Sequence, residues 1–267
     1  MQTQFRLAES VKRKTNIFFF IYLISSLYND NMFLEACMSK IKVIFWDIDA
    51  TILNFEMQER NALINCFKKF NLGECNEKII KEYSKLSEVY WEKMYRGEIT
   101  KQQVLTMRFD ELFANHNLKC DSSEFNNEFQ IRLSDTIVFN DNADKLLIDL
   151  KKDFKQYIVT NGTSATQRKE LTQGNMQQYF DDVFISEEIG FPKPDKRLFE
   201  YIKSRIPELK NDEIIIVGDS ISSDITAGIN WGIKSCWYNP KNKDLPKDKK
   251  IDYIIKDLNE LRDILYY

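Results

Sequence analysis

Apolar positions along this chain fall into three textures, and each predicts a different kind of element. The run Lys42-Val43-Ile44-Phe45-Trp46 is apolar without alternation, rich in β-branched and aromatic residues, and ends abruptly in Asp47-Ile48-Asp49-Ala50-Thr51. Such a run reads as a parallel strand buried on both faces of an α/β sheet. Between Gln58 and Ile137 the period changes and proline is absent: Ile79, Tyr83, Leu86 and Tyr90 recur at helical spacing, as do Leu105, Phe109 and Leu112. Thr100-Lys101-Gln102-Gln103 has the form of a capping box after the break at Gly97, and Asp121 with Glu124 offers another helix start. This block reads as a small helical bundle. From Lys155 onward short apolar runs return: Tyr157 to Thr160, Val183 to Ile185, Glu213 to Asp219 and Ser235 to Tyr238, separated by helical stretches. That rhythm is βαβ and predicts a parallel sheet with right-handed crossovers.

The first strand joins the same sheet, so the helical block is an insertion. The expected organisation is an α/β core of residues 38–55 and 138–267, with a helical cap, 56–137, inserted after the first strand. Residues 1–37 form an N-terminal extension of doubtful status. There Lys12-Arg13-Lys14 precedes an apolar stretch from Ile17 to Leu27, which resembles a secretory signal but is short for a membrane span and lacks a small-residue cleavage pattern. The preferred reading is that translation begins at Met38. No stable membrane association is then expected and the compartment is the cytoplasm, with a signal or anchor as the alternative.

Composition narrows the chemistry. A formal net charge of -3 over 267 residues gives no broad basic surface, so nucleic acid is not an expected partner. Five scattered cysteines without a C-x-x-C pair argue against a disulfide framework or thiolate metal site, and fit a reducing compartment. The single histidine, His116, excludes multi-histidine metal sites, so any metal is a hard cation held by oxygen and acid–base work falls to carboxylates. His116 itself reads as a helix-end residue, and Phe55, Tyr90, Trp91 and Tyr95 read as bundle core, an aromatic stripe being more often packing than site.

In open α/β sheets the ligand crevice lies beyond the carboxyl ends of the strands. The first strand delivers Asp47 and Asp49 there. The second ends in Thr160-Asn161-Gly162-Thr163-Ser164 and opens into a helix, whose amides, together with the Thr160 hydroxyl, suit an anion. Phe191-Pro192-Lys193-Pro194-Asp195 supplies one lysine in a restricted backbone, and Gly218-Asp219-Ser220-Ile221-Ser222-Ser223-Asp224 adds two carboxylates. Alone, each of these reads as a turn, a cap or a surface lysine; in this order after strand ends they form one candidate site. Clustered carboxylates repel, and Mg²⁺ is the simplest ion to hold them together.

The set Asp47-x-Asp49-x-Thr51, Thr160-Asn161, Lys193 and Gly218-Asp219…Asp224 resembles the four motifs of the haloacid dehalogenase (HAD) superfamily over residues 41 to about 260. Tyr90-Trp91…Tyr95-Arg96-Gly97-Glu98-Ile99-Thr100, Ile185-Ser186-Glu187-Glu188-Ile189-Gly190 and Asp224-Ile225-x-Ala227-Gly228-Ile229-Asn230-x-Gly232 are similar to its YjjG-type pyrimidine 5'-nucleotidase branch. Ala50 departs from the pattern, since many relatives carry glycine or a polar residue there. The resemblance implies a Rossmann-like HAD-type sheet under a cap that closes over the site. It further implies Asp47 as nucleophile and Asp49 as the acid and base. Thr160, Asn161 and Lys193 would hold the phosphoryl group. Mg²⁺ would lie on Asp47, the Asp49 carbonyl and Asp219, with Asp224 on the metal or orienting Lys193. The expected reaction is Mg²⁺-dependent hydrolysis of a small phosphate ester, a nucleoside 5'-monophosphate. The alternatives are a sugar-phosphate phosphatase or phosphomutase, a haloacid dehalogenase and a non-catalytic phosphate-binding module.

Overall fold

In a computed structural model the described residues are 39–246 and 248–266; the expectations for residues 1–37 lie outside them. Residues 41–261 form one unit, while residues 39–40 and 262–266 group separately. Within the first unit the chain runs β1 (Val43–Trp46), α1 (Phe55–Lys69), α2 (Glu77–Tyr95), α3 (Lys101–Asn115), α4 (Ser122–Leu133), α5 (Ala143–Leu150), β2 (Lys155–Thr160), α6 (Ser164–Gln173), β3 (Asp182–Ile185), α7 (Ser186–Ile189), α8 (Lys196–Arg205), β4 (Ile214–Gly218), α9 (Thr226–Trp231), β5 (Lys234–Tyr238) and β6 (Tyr253–Ile255).

All neighbouring strands are parallel, in the order β3-β2-β1-β4-β5-β6. Residues two apart along a strand share a face. Val43 and Phe45, Tyr157 and Val159, and Ile214 and Ile216 accordingly pack on one side with Leu198, Phe199 and Ile202 of α8 and Trp231 of α9. On the opposite face the buried Trp46 indole donates to Gln156 Oε1 at 2.9 Å, and the Gln156 amide donates to the Leu147 carbonyl in α5. Helices therefore cover both faces, the doubly wound arrangement that continuous apolar strands require. The sixth strand, β6, has no counterpart in the sequence reading: three residues at a sheet edge leave too little pattern.

The chain winds one way from β1 to β2 and β3, then returns to build β4, β5 and β6 on the other side. The switch lies between β1 and β4, and a crevice opens at their carboxyl ends. Above it sits the cap. The sequence reading found helical periodicity in two stretches; the structure has four helices between Phe55 and Leu133. The Thr100–Gln103 capping box is present, and Asp121 accepts from the Glu124 amide. Ala62, Leu63 and Phe67 of α1, Ile79, Ile80 and Tyr83 of α2, Phe109 and Leu112 of α3, and Phe125 and Phe129 of α4 form the cap's own core.

Two adjacent linkers join cap to sheet. Leu53 bridges Phe139, and Asn140 Nδ2 donates to the carbonyls of Thr51 and Leu53 at 3.0 and 3.1 Å. Phe55 packs against the cap core as expected. Trp91 and Tyr95 do not: they are half-buried and stacked on each other at 6.0 Å, at the end of α2 that points down to the sheet. The stripe divides because α2 outruns the bundle.

Candidate active site

The geometry centres on Lys193. Its side chain is 1% exposed, and Nζ donates to Asp47 Oδ1 at 2.6 Å and to Asp224 Oδ1 at 2.7 Å. Burial alone would strip this ammonium of its charge, but Asp224 and Asp47 outweigh it and push the lysine pKa up. Its backbone is clamped as well. Lys193 N donates to Asn161 Oδ1 at 2.8 Å, and Asn161 Nδ2 returns a bond to the Lys193 carbonyl at 3.0 Å.

Asp224 enters from a π-type turn, Ile221–Ile225, that follows β4. Its second oxygen accepts from the Ser220 amide at 3.0 Å, so both oxygens are engaged. Gly218 makes this approach possible. A Cβ there would sit 2.2 Å from Asp224 Cγ, and any side chain would evict the carboxylate.

Asp47, Asp219 and Asp224 each bring one oxygen within 4.8 Å of the others. One lysine cannot neutralise them all. Burial and the facing Asp224 raise Asp219 to about 7; burial, with Asp224, Asp219 and Asp49 adding to it, drives Asp47 well up despite Lys193. An all-oxygen cluster with surplus negative charge is the donor set for a hard divalent cation, and Mg²⁺ fits it.

Thr160 Oγ1 accepts from the Gly162 amide at 3.0 Å, which leaves its own proton as a donor. The helix start differs from expectation in one respect. The Ser164 amide is not free for an anion, because it donates to Glu187 Oε2 at 2.7 Å. Asn161 likewise commits its amide to the Lys193 backbone. The Gly162 and Ser164 amides are thus both engaged, while the Thr160 hydroxyl keeps a proton to donate.

Asp49 lies apart from the lysine cluster. Gln167 Nε2 donates to both of its oxygens at 3.2 Å, and burial raises it to about 6 against the pull of Gln167, Lys193 and Lys101. Sequence reasoning passed over Gln167; its only signal was its place one turn into the helix that Thr160-Asn161-Gly162 opens.

Several cap residues also reach the site. Tyr95 faces Asn161, and burial together with the nearby Asp224 pushes its phenol pKa up. Lys101 Nζ donates to the Gly162 carbonyl at 2.8 Å, and Ser222 Oγ donates to Glu92 at 2.6 Å. These contacts close the cap over the strand ends. His116 caps α3 away from the site, 3.0 Å from Glu82.

Comparison with known proteins agrees with this geometry. Residues 43–238 match the model of the haloacid dehalogenase-like hydrolases. The HAD-hydrolase YfnB of Bacillus subtilis is 32% identical over 85% of this chain and 97% of its own, and its magnesium-bound crystal structure superposes with a TM-score of 0.81 over 84% of this chain and 98% of that one. The pyrimidine 5'-nucleotidases PynA of Streptococcus pneumoniae and YjjG of Escherichia coli are 29% and 28% identical, over 84% and 83% of this chain and 94% and 96% of theirs. A doubly wound parallel sheet, a lysine bridging two strand-end carboxylates and a match over most of the sequence lead to one conclusion: this chain belongs to the haloacid dehalogenase-like hydrolase family.

Proposed function

We propose that the protein is a Mg²⁺-dependent phosphomonoesterase that hydrolyses nucleoside 5'-monophosphates, pyrimidine nucleotides in particular, through an aspartyl-phosphate. The observation that carries the reaction is the Lys193 bridge between Asp47 and Asp224 beside Asp219. Asp47 attacks phosphorus in line, its carboxylate held in place by Lys193 and by the Thr51 hydroxyl at 3.4 Å. Lys193 and the Thr160 hydroxyl take up charge on the phosphoryl oxygens. Asn161 keeps the lysine in position through its backbone. Asp49, whose pKa is raised to about 6, protonates the leaving oxygen and then takes a proton from the water that cleaves the acyl phosphate. Asp47, the Asp49 carbonyl and Asp219 would hold Mg²⁺, with Asp224 beside them. When bound, the ion supplies the positive charge that lets an anionic nucleophile meet an anionic ester. The substrate class is supported by PynA and YjjG. The cytoplasm suits such an enzyme, and the free thiols of Cys66, Cys75, Cys120 and Cys236 fit it; among the described residues no helix is long and apolar enough to cross a membrane.

A panel of phosphate esters with and without Mg²⁺ tests the reading. Phosphate release from uridine and deoxyuridine 5'-monophosphates is expected to exceed release from hexose phosphates and to stop on chelation. No Mg²⁺-dependent release from any nucleotide defeats the substrate assignment, and an active Asp47→Asn defeats the nucleophile.

A further inference from the structure

Three of the buried polar side chains that have no part in this chemistry line up behind Asp49. Gln167 Nε2, besides its two bonds to Asp49, donates to Glu170 Oε2 at 2.8 Å; Glu170 Oε1 accepts from Gln58 Nε2 at 2.8 Å. Gln58, Gln167 and Glu170 are at most 1% exposed. Gln167 and Glu170 share one face of α6, three residues apart, while Gln58 comes from the first turns of α1 in the cap. We propose that Gln167 is a positioning residue for Asp49, aimed by Glu170 and Gln58, and that this chain fixes the carboxylate where the leaving oxygen departs. The inference rests on Asp49 being the acid and base of the proposed reaction.

The arrangement is not the least costly way to bury these groups. Gln58 Oε1 and Gln167 Oε1 meet no donor among the described residues, and an orphaned buried oxygen costs about 1–3 kcal/mol. Both amides instead turn their N–H ends toward carboxyl groups. The backbone is adapted too. A Cβ at Gly162 would lie 2.6 Å from Gln167 Cδ, so the glycine that follows Thr160-Asn161 is what seats Gln167 beside Asp49. Burial raises Glu170 to about 9, with Asp49 adding to it. Glu170 therefore keeps its proton at neutral pH and orders Gln167 without repelling Asp49. A turn of the Gln58 amide would bring its unpartnered Oε1 to that proton, while Gln167 Nε2 keeps its bond to the other Glu170 oxygen.

Leaving-group dependence separates positioning from mere support of the fold. Nitrophenolate departs without a proton, whereas a nucleoside alkoxide needs one. The measurements use the full chain with Mg²⁺, and Gln167→Met, close in volume to glutamine, as the principal variant. Its turnover of uridine 5'-monophosphate is expected to fall about 100-fold. With p-nitrophenyl phosphate it should release one nitrophenolate per site in a fast burst, followed by slow turnover, because the acyl phosphate still needs Asp49 as base. Asp49→Asn gives the reference pattern. Glu170→Met should follow Gln167→Met, while Glu170→Gln should retain most activity, since a flipped Gln58 can offer its oxygen to the new amide. Thermal unfolding monitors the fold, and Gln58→Met supplies a milder second variant if Gln167→Met does not fold.

Equal losses on both substrates without a burst, or a normal uridine 5'-monophosphate rate in Gln167→Met while Asp49→Asn shows the split, overturn the inference and leave the parent reading standing. A wild-type chain inactive with Mg²⁺, or an Asp49→Asn variant active on the nucleotide, removes the parent reading and this inference with it.

Discussion

Two buried cations, Lys193 under the strand ends and Arg108 inside the cap, are held in opposite ways. Lys193 is bracketed by carboxylates at 2.6 and 2.7 Å. Arg108, 2% exposed, donates to Ser87 Oγ at 3.1 Å and to Asn126 Oδ1 at 3.4 Å. Its guanidinium lies over the rings of Tyr83, Phe109 and Phe129 at 5.1–5.5 Å. Among the described residues it makes no ion pair, and its Nε has no partner. The nearby Glu59 is raised by burial to about 7, against the pull of Arg108. The difference teaches what each charge is for. In the proposed reaction the opposite charges gathered beyond the strand ends are reagents held in a costly state; a guanidinium wrapped in dipoles and ring faces glues three helices.

The largest expected effect lies at the reagent end. Lys193→Met leaves Asp47 and Asp224 facing each other without a countercharge. Phosphate release should fall by about 10³-fold, and removing one partner of a buried ionic cluster should lower the unfolding free energy by about 3–5 kcal/mol, read by urea titration without added Mg²⁺. A mild effect on both readouts would erase the contrast with Arg108.

Arg108→Met should be gentler. It removes hydrogen bonds to neutral partners and keeps much of the packing over the rings, so a cost of about 1–2 kcal/mol is expected, with phosphate release near wild type. A collapse in activity without a change in urea midpoint would move Arg108 from glue to reagent.

The same contrast explains what could be read beforehand. Asp47, Asp49, Thr160 and Asp219 stand at or just past strand ends, where an apolar run stops at a carboxylate or hydroxyl, Lys193 and Asp224 follow in the segments beyond β3 and β4, and the switch between β1 and β4 gathers them. The buried polar groups of the helices carry no such mark. Gln58, Glu59, Arg108, Gln167 and Glu170 sit among polar residues at helical spacing; the packing of the cap helices on one another turns Glu59 and Arg108 inward, and the docking of cap on sheet does so for Gln58, Gln167 and Glu170. Trp91 and Tyr95 read as core because periodicity reports a helix face, not where the partner helices end. Of the four cap helices α1 alone has no signal in the sequence reading, because Gln58 and Glu59 take inward places in it; α4 is marked by its Asp121–Glu124 start, not by its periodicity.

A pH series sharpens the comparison on its titrating side. A carboxyl whose folded pKa is raised keeps its proton in the fold after the unfolded chain has lost it. Stability therefore falls with rising pH from the ordinary carboxyl range up to the folded pKa, about 7 for Glu59 and about 9 for Glu170, and is level beyond. Glu170→Gln should remove the part of this decline between about pH 7 and 9, seen in urea midpoints across the series. An unchanged slope there would mean that Glu170 is ionised and that Gln167 is held between two anions.

The smallest expected effect tests whether backbone strain belongs with the reagents or with the glue. Ala50, between Asp49 and Thr51, has φ +63°, in the left-handed region that costs a residue with a Cβ about 1–2 kcal/mol. Glycine removes that strain but frees the unfolded chain by about 0.4–1 kcal/mol. Ala50→Gly should therefore stabilise the fold by about 0.5–1 kcal/mol. Its phosphate release should match wild type, because Asp47 is fixed by Lys193 and Asp49 by Gln167, not by the turn between them. Greater stability together with slower turnover would show the opposite: that the strained turn itself aims the two carboxylates, and that the reagent end of the molecule stores conformational as well as electrostatic cost.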